Sequence, residues 1–221
     1  MNTDWILYFG YGSLVNRETR PSAEVAHPAR LKGWQRVWEH RVTDPNRDRP
    51  CTSLSIEPVQ PAAGCATVTG HERPGIDGVV VALEAHLLPQ LDAREAGYER
   101  LSLPLSDFEL PADLVLDMQR HYAGDSIMVY RSLPVNRALA TPDHPVLQSY
   151  IDCVMDGYLQ RYGETGVQAL IDSTRGWECA VCDDRAEPFY PRWVPVDSDR
   201  QRYFDLCVDE YLSRPGRRRQ A

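Results

Sequence analysis

Between Trp5 and Arg131 the chain carries eight short β-like runs but only one segment suited to a helix, and that imbalance restricts the folds open to it. The runs are Trp5 to Phe9, Ala29 to Trp34, Arg36 to Val42, Cys51 to Ile56, Cys65 to Thr69, Gly78 to Leu83, Tyr98 to Leu103 and Ile127 to Arg131, set apart by proline and glycine. The helical segment lies at about Ala85 to Ala93. A repeating βαβ layout would need a helix after nearly every strand. The pattern therefore predicts an α+β fold built on a small mixed β-barrel or strongly curved sheet with a few flanking helices. Thr43 to Pro50 and Glu57 to Gly64, rich in proline and turn formers, read as loops able to flank a pocket.

After Pro142 the period changes. Leu147, Ile151, Val154, Tyr158 and Tyr162 recur at helical spacing until Gly163, and Val167, Leu170 and Ile171 continue the pattern. Tyr203, Phe204, Leu206, Cys207, Tyr211 and Leu212 mark a last helix. We expect a barrel domain over residues 1–141, a helical C-terminal extension over 142–213 packed on it, and a disordered basic tail over 214–221 that contains Arg217, Arg218 and Arg219. Trp177, Phe189, Tyr190 and Trp193 would form an exposed apolar patch if the extension served to dock a partner.

Composition narrows the function. A 221-residue chain with 43% hydrophobic residues can bury one substantial core. A formal charge of −8 argues against nucleic acid, whose binders carry a broad basic face, and leaves a small molecule as the expected partner. No stretch approaches the roughly 18 apolar residues that span a bilayer, and the first residues lack the basic and apolar regions of a signal peptide, so a cytoplasmic protein without membrane contact is expected. The six cysteines, at 51, 65, 153, 179, 182 and 207, are too sparse for a disulfide scaffold. Cys179 and Cys182 have the spacing of half a zinc site, but no second close pair completes four ligands, and we read them as packing residues with no metal.

Chemistry is expected first at Gly10-Tyr11-Gly12-Ser13-Leu14, directly behind the first apolar run. Two glycines remove Cβ atoms and permit positive φ, so that successive N–H groups can converge on a carboxylate or an oxyanion. A dinucleotide fingerprint would need glycine at Val15, and a Walker loop would need Gly-Lys-Ser/Thr. A nucleophile elbow would need glycines at Tyr11 and Val15, so Ser13 reads as a hydrogen-bonding member of the loop and not as a nucleophile. The second candidate is Leu91-Asp92-Ala93-Arg94-Glu95-Ala96-Gly97-Tyr98, where a short helix gives way to a strand and Glu95 falls at the junction. Taken alone, this segment, with Asp92, Arg94, Glu95, Glu99 and Arg100, reads as a charged surface with local ion pairs.

The two motifs in this order, with Ala29-Arg30-Leu31-Lys32-Gly33-Trp34 and Gly78-Val79-Val80-Val81-Ala82-Leu83 between them, make residues 5 to 132 resemble the γ-glutamylcyclotransferase superfamily. In that family the first strand ends in Tyr-Gly-Ser followed by Asn or Leu, here Tyr11 to Leu14, and the catalytic glutamate lies in Leu-Asp-x-x-Glu shortly before a tyrosine, here Glu95 and Tyr98. His40-Arg41-Val42-Thr43 is similar to the His-Arg-Gly-Thr stretch of the ChaC-like branch, with Val42 in place of the glycine; His40 itself reads as structural.

The resemblance implies a reaction in which the α-amine of a γ-glutamyl group attacks its own γ-carbonyl, closing 5-oxoproline and expelling an amino acid, peptide or amine without water, metal or cofactor. It assigns Glu95 as the base, and Tyr11, Gly12, Ser13, Leu14 and Tyr98 as substrate-binding residues. Two roles stay open to each tyrosine: a pocket wall, or a core aromatic in the case of Tyr11 and a strand anchor in that of Tyr98. A module of the same fold that holds a γ-glutamyl group or carboxylate without turning it over is the alternative.

Overall fold

The computed structural model describes residues 5–20, 25–42, 49–59, 74–121 and 124–215. Its strands are β1 (Trp5–Gly10), β2 (Ala26–Lys32), β3 (Trp34–Val42), β4 (Cys51–Pro58), β5 (Gly75–Glu84), β6 (Tyr98–Pro104), β7 (Phe108–Glu109), β8 (Ser126–Ser132), β9 (Val146–Leu147), β10 (Thr174–Arg175) and β11 (Val181–Cys182). The helices are α1 (Leu88–Arg94), α2 (Ala112–His121), α3 (Gln148–Asp172) and α4 (Ser198–Ser213). The strands form two sheets, ordered β6-β8-β1-β5-β2-β7 and β10-β3-β4-β9-β11. This is the α+β architecture expected, with the larger sheet curled as half of a barrel.

Central strands β1 and β5 are buried on both faces, which explains their unbroken apolar runs. Their antiparallel register sets Gly10 opposite Val79, while β1 also pairs in parallel with β8. Gly78 permits this closeness: a Cβ there would stand 2.4 Å from the Gly10 carbonyl oxygen. Sequence boundaries moved where backbone handedness intervened. Ala29 to Trp34 is not one strand, because Gly33 takes φ +80° and turns the chain between β2 and β3.

Helix α3 runs past Gly163, whose φ of +69° interrupts the helical ladder before Val167, Leu170 and Ile171 re-enter the core. Helix α2 was not legible, since its buried stripe is only Leu114 and Met118, with Val115 and Leu116 outside. The expected strand from Cys65 to Thr69, the 43–48 and 60–64 parts of the two loops, and Arg217 to Arg219 lie outside the described residues.

The C-terminal segment is woven into the second sheet. Strand β10 pairs with β3, and β9 joins β4 to β11. Trp177 and Tyr190 are buried while Trp193 is 47% exposed, so the aromatic residues considered for docking do not make one exposed patch. No helix among the described residues is long and apolar enough to cross a membrane.

Candidate active site

The loop after β1 makes one tight helical turn at Ser13–Val15, whose first internal bond runs from Val15 N–H to the Gly12 carbonyl at 3.0 Å. The N–H groups of Gly12, Ser13 and Leu14 precede that bond and take no part in the turn. Their carbonyl side is fixed. Arg36 Nε and the Tyr158 hydroxyl each donate to the Tyr11 oxygen at 2.9 Å, and Thr19 Oγ1 donates to the Ser13 oxygen at 2.6 Å.

Positive φ, expected of the loop glycines, is absent from Gly10 and Gly12 and occurs at Gly33, Gly97, Gly163 and Gly176. Space is what the loop needs from them. A Cβ on Gly10 would stand 2.6 Å from Leu14 Cβ, and one on Gly12 would stand 3.0 Å from the Tyr150 hydroxyl.

Glu95 follows the last turn of α1, its N–H bonded to the Leu91 carbonyl at 3.0 Å and its own carbonyl accepting from Tyr98 N–H at 3.0 Å. Gly97, at φ +95°, turns the chain between them, so that the end of a helix and the start of a strand face one space. The Glu95 side chain is 15% exposed, and its Oε1 accepts from Arg94 Nε at 2.9 Å. Arg94 also donates to the Thr19 carbonyl and reaches Ser13 Oγ at 3.5 Å, tying the glutamate segment to the loop behind β1. Arg94, 9% exposed in its side chain, is therefore not the surface ion-pair member that charge patterning allowed.

Both motifs border an inner recess of about 40 Å³ walled by residues 9–14, Leu54, Glu95, Tyr98, Tyr130 and Tyr150. An outer cavity of about 680 Å³ shares Ser13, Glu95, Tyr98 and Tyr150 with it and adds His40, Arg94, Tyr190 and Arg192 among its walls. The structure thus brings all six predicted site residues together. Tyr11 is 6% exposed and its hydroxyl donates to the Tyr130 carbonyl at 2.7 Å, so it offers the recess its ring and backbone. The Tyr98 hydroxyl donates to the Leu54 carbonyl at 2.8 Å with Ser53 Oγ at 3.0 Å. Burial pushes the hydroxyls of Tyr11, Tyr98 and Tyr150 well above the ordinary tyrosine range, which keeps them neutral.

His40, expected to be structural, does brace the site: its ring stacks on Tyr98 at 3.8 Å and its Nδ1 lies 2.9 Å from Ser132 Oγ. It also lines the cavity, two residues beyond Trp38 and past a register shift in β3. Sequence reasoning missed Tyr150, Tyr130 and Arg192, and it considered Tyr190 only as a member of a conditional docking patch; no local motif marks them, since they arrive from α3, β8 and the segment after β11. Among the described residues no three His, Cys, Asp or Glu side chains converge to hold a metal ion.

No protein-family profile matches the chain, and no curated protein matches it in sequence. Solved structures do. A structure named gamma-glutamyl cyclotransferase aligns over 92% of this chain and 99% of its own, with a TM-score of 0.51 at 14% identity. This chain has the γ-glutamyl cyclotransferase fold. An uncharacterized protein from Homo sapiens aligns on the same fold over 91% of this chain and 99% of its own, with a TM-score of 0.50 at 16% identity. Because both alignments extend over nine-tenths of the chain, the cyclotransferase fold here takes in segments beyond residue 142 as well as the sheet behind the loop.

Proposed function

We propose that this protein is a γ-glutamyl cyclotransferase that releases 5-oxoproline from a γ-glutamyl amino acid, peptide or amine. The observation that carries the reading is one recess bordered by Glu95, by Gly12, Ser13 and Leu14, whose N–H groups take no part in the turn, and by Tyr98 with its neutral hydroxyl. A γ-glutamyl group presents an ammonium, a carboxylate and an amide carbonyl, and the recess offers an opposite charge to the first and N–H donors to the other two.

Glu95 accepts a proton from the ammonium, freeing a lone pair to attack the γ-carbonyl carbon. A carbon–nitrogen bond closes the five-membered ring while the bond to the leaving nitrogen breaks. Glu95 hands its proton to the leaving nitrogen, and a second, shed by the ring nitrogen as the lactam forms, follows by the same route, so the amine leaves as an ammonium, the proton count is conserved and no water is consumed. The loop amides stabilise the oxygen as charge develops on it, a task at which fixed donors in a water-poor site are most effective. Holding the flexible glutamyl chain folded supplies much of the rest, on the order of 7–11 kcal/mol for a well-aligned intramolecular attack.

The test is 5-oxoproline release, followed by mass spectrometry, from glutathione, several γ-glutamyl amino acids and a γ-glutamyl amine. Release by the intact protein that disappears in Glu95→Gln supports the reading. Equal release from both proteins removes Glu95 from its role, and release from none of the panel moves the reading to a binding module.

A further inference from the structure

The protein carries a net charge of −8, yet among the described residues lining the outer cavity two arginines, Arg94 and Arg192, face a single carboxylate, Glu95. Arg94 is fully occupied with Glu95, the Thr19 carbonyl and the loop. Arg192 is not. It has no carboxylate partner among the described residues, and its Nε is buried without a hydrogen-bond acceptor. The Tyr190 hydroxyl beside it is also buried without a hydrogen bond of good geometry, and the Arg192 guanidinium lies over the Tyr190 ring, 5.5 Å from its centre. Two adjacent donors left without acceptors inside a cavity wall are costly unless a ligand completes them.

The segment that holds them is fixed. Asp184, buried, accepts from Ser149 N–H at 2.7 Å, Ser149 Oγ at 2.6 Å and Phe189 N–H at 2.8 Å, anchoring the residue before Tyr190 to the start of α3. The Tyr190 ring packs edge-on against Tyr150 at 4.9 Å, and its carbonyl accepts from Trp193 N–H at 3.0 Å. Position then assigns the ligand group. Tyr190 and Arg192 line the outer cavity but not the inner recess, whereas Glu95, Ser13, Tyr98 and Tyr150 belong to both. A substrate with its glutamyl end in the recess would extend its leaving group toward Arg192.

We infer that Arg192 and Tyr190 form a carboxylate subsite for the leaving group, so that the substrate is a γ-glutamyl amino acid or peptide acid and not a γ-glutamyl amine. A planar guanidinium fork beside a hydroxyl donor matches a carboxylate in shape and charge. This inference rests on the cyclotransferase reading for the placement of the glutamyl end.

The test compares γ-glutamylalanine with γ-glutamylalaninamide, which differ only in the leaving-group carboxylate. Calorimetric binding to the Glu95→Gln protein removes any need for turnover. We expect the acid to bind roughly 10- to 100-fold tighter, as for one charge-assisted interaction. The ratio should fall close to unity when Arg192→Met is added and be partly restored by Arg192→Lys. Equal affinity for both probes, a preference that survives Arg192→Met, or binding of neither overturns the subsite. Acid-selective binding without 5-oxoproline release from the intact protein keeps the subsite and removes the cyclotransferase reading. Release of both probes with equal kcat/KM does the reverse.

Discussion

At Glu95 the carboxylate meets an arginine from the adjacent position and a ring of tyrosines from four other elements. Replacing it by Gln keeps an acceptor for Arg94 Nε and removes only the proton chemistry, so 5-oxoproline release should fall by at least about 10²-fold. The thermal midpoint should stay near that of the unaltered protein; a loss of activity that merely tracked unfolding in a melting experiment would contradict the assignment. Gly12→Ala would set a Cβ 3.0 Å from the Tyr150 hydroxyl, at the recess itself. We expect KM to rise for γ-glutamyl substrates with a stability cost of about 1 kcal/mol, read from steady-state kinetics and urea titration. Tyr11 to Leu14, Glu95 and Tyr98 were legible because each lies in a short motif whose glycines and helix-to-strand junction carry local meaning. Arg94 was not, because sequence patterning cannot tell a buried ion pair from a solvated one.

Among the elements, α3 begins without a side-chain cap from its own N-cap residue, Leu147, and takes its anionic partner from Asp184 instead. One carboxylate thus closes the start of a helix and fixes the segment bearing Tyr190. Asp184→Ala removes all three of its bonds and should cost about 2–4 kcal/mol by chemical denaturation. It should also raise KM as Tyr190 loosens, whereas Asp184→Asn should retain part of both. The cap lies 35 residues from Ser149, outside any capping signature that a sequence offers. For the same reason β9, β10 and β11, two residues each, escaped notice: a pair of residues has no period, and these strands exist only because β3 offers an edge to β10, β4 offers one to β9, and β9 in turn offers one to β11.

Across the whole molecule, Arg36 is the cross-brace. It lies on β3 with no exposed surface, donates to the Tyr11 carbonyl in the loop behind β1 and to the Asp77 carbonyl on β5 of the other sheet, and bonds Ser173 Oγ and the Tyr158 hydroxyl at α3. Arg36→Met would strand those acceptors and is expected to cost more than about 3 kcal/mol in urea unfolding, with activity lost through the loop. Alkali should expose the tyrosine cluster. Tyr11, Tyr98 and Tyr150 keep their protons in the folded state above the ordinary value of 10, while the unfolded chain gives them up. Their contribution is therefore fully present below pH 10 and is lost as pH rises beyond it, by about 4 kcal/mol per pH unit for three such groups. Tyrosinate absorbance should appear together with unfolding and not before it; ionisation of these hydroxyls in a native protein would contradict their burial. The sequence by itself determined the α+β class, the loop behind β1 and the glutamate at the end of α1, because strand alternation, helical period and glycine punctuation are local properties of a chain. Only the tertiary structure decided which charges are buried, which tyrosines share a wall, and that Arg192 lines the cavity with no carboxylate partner among the described residues. Burial and pairing are set by groups distant in sequence, and no local pattern encodes them.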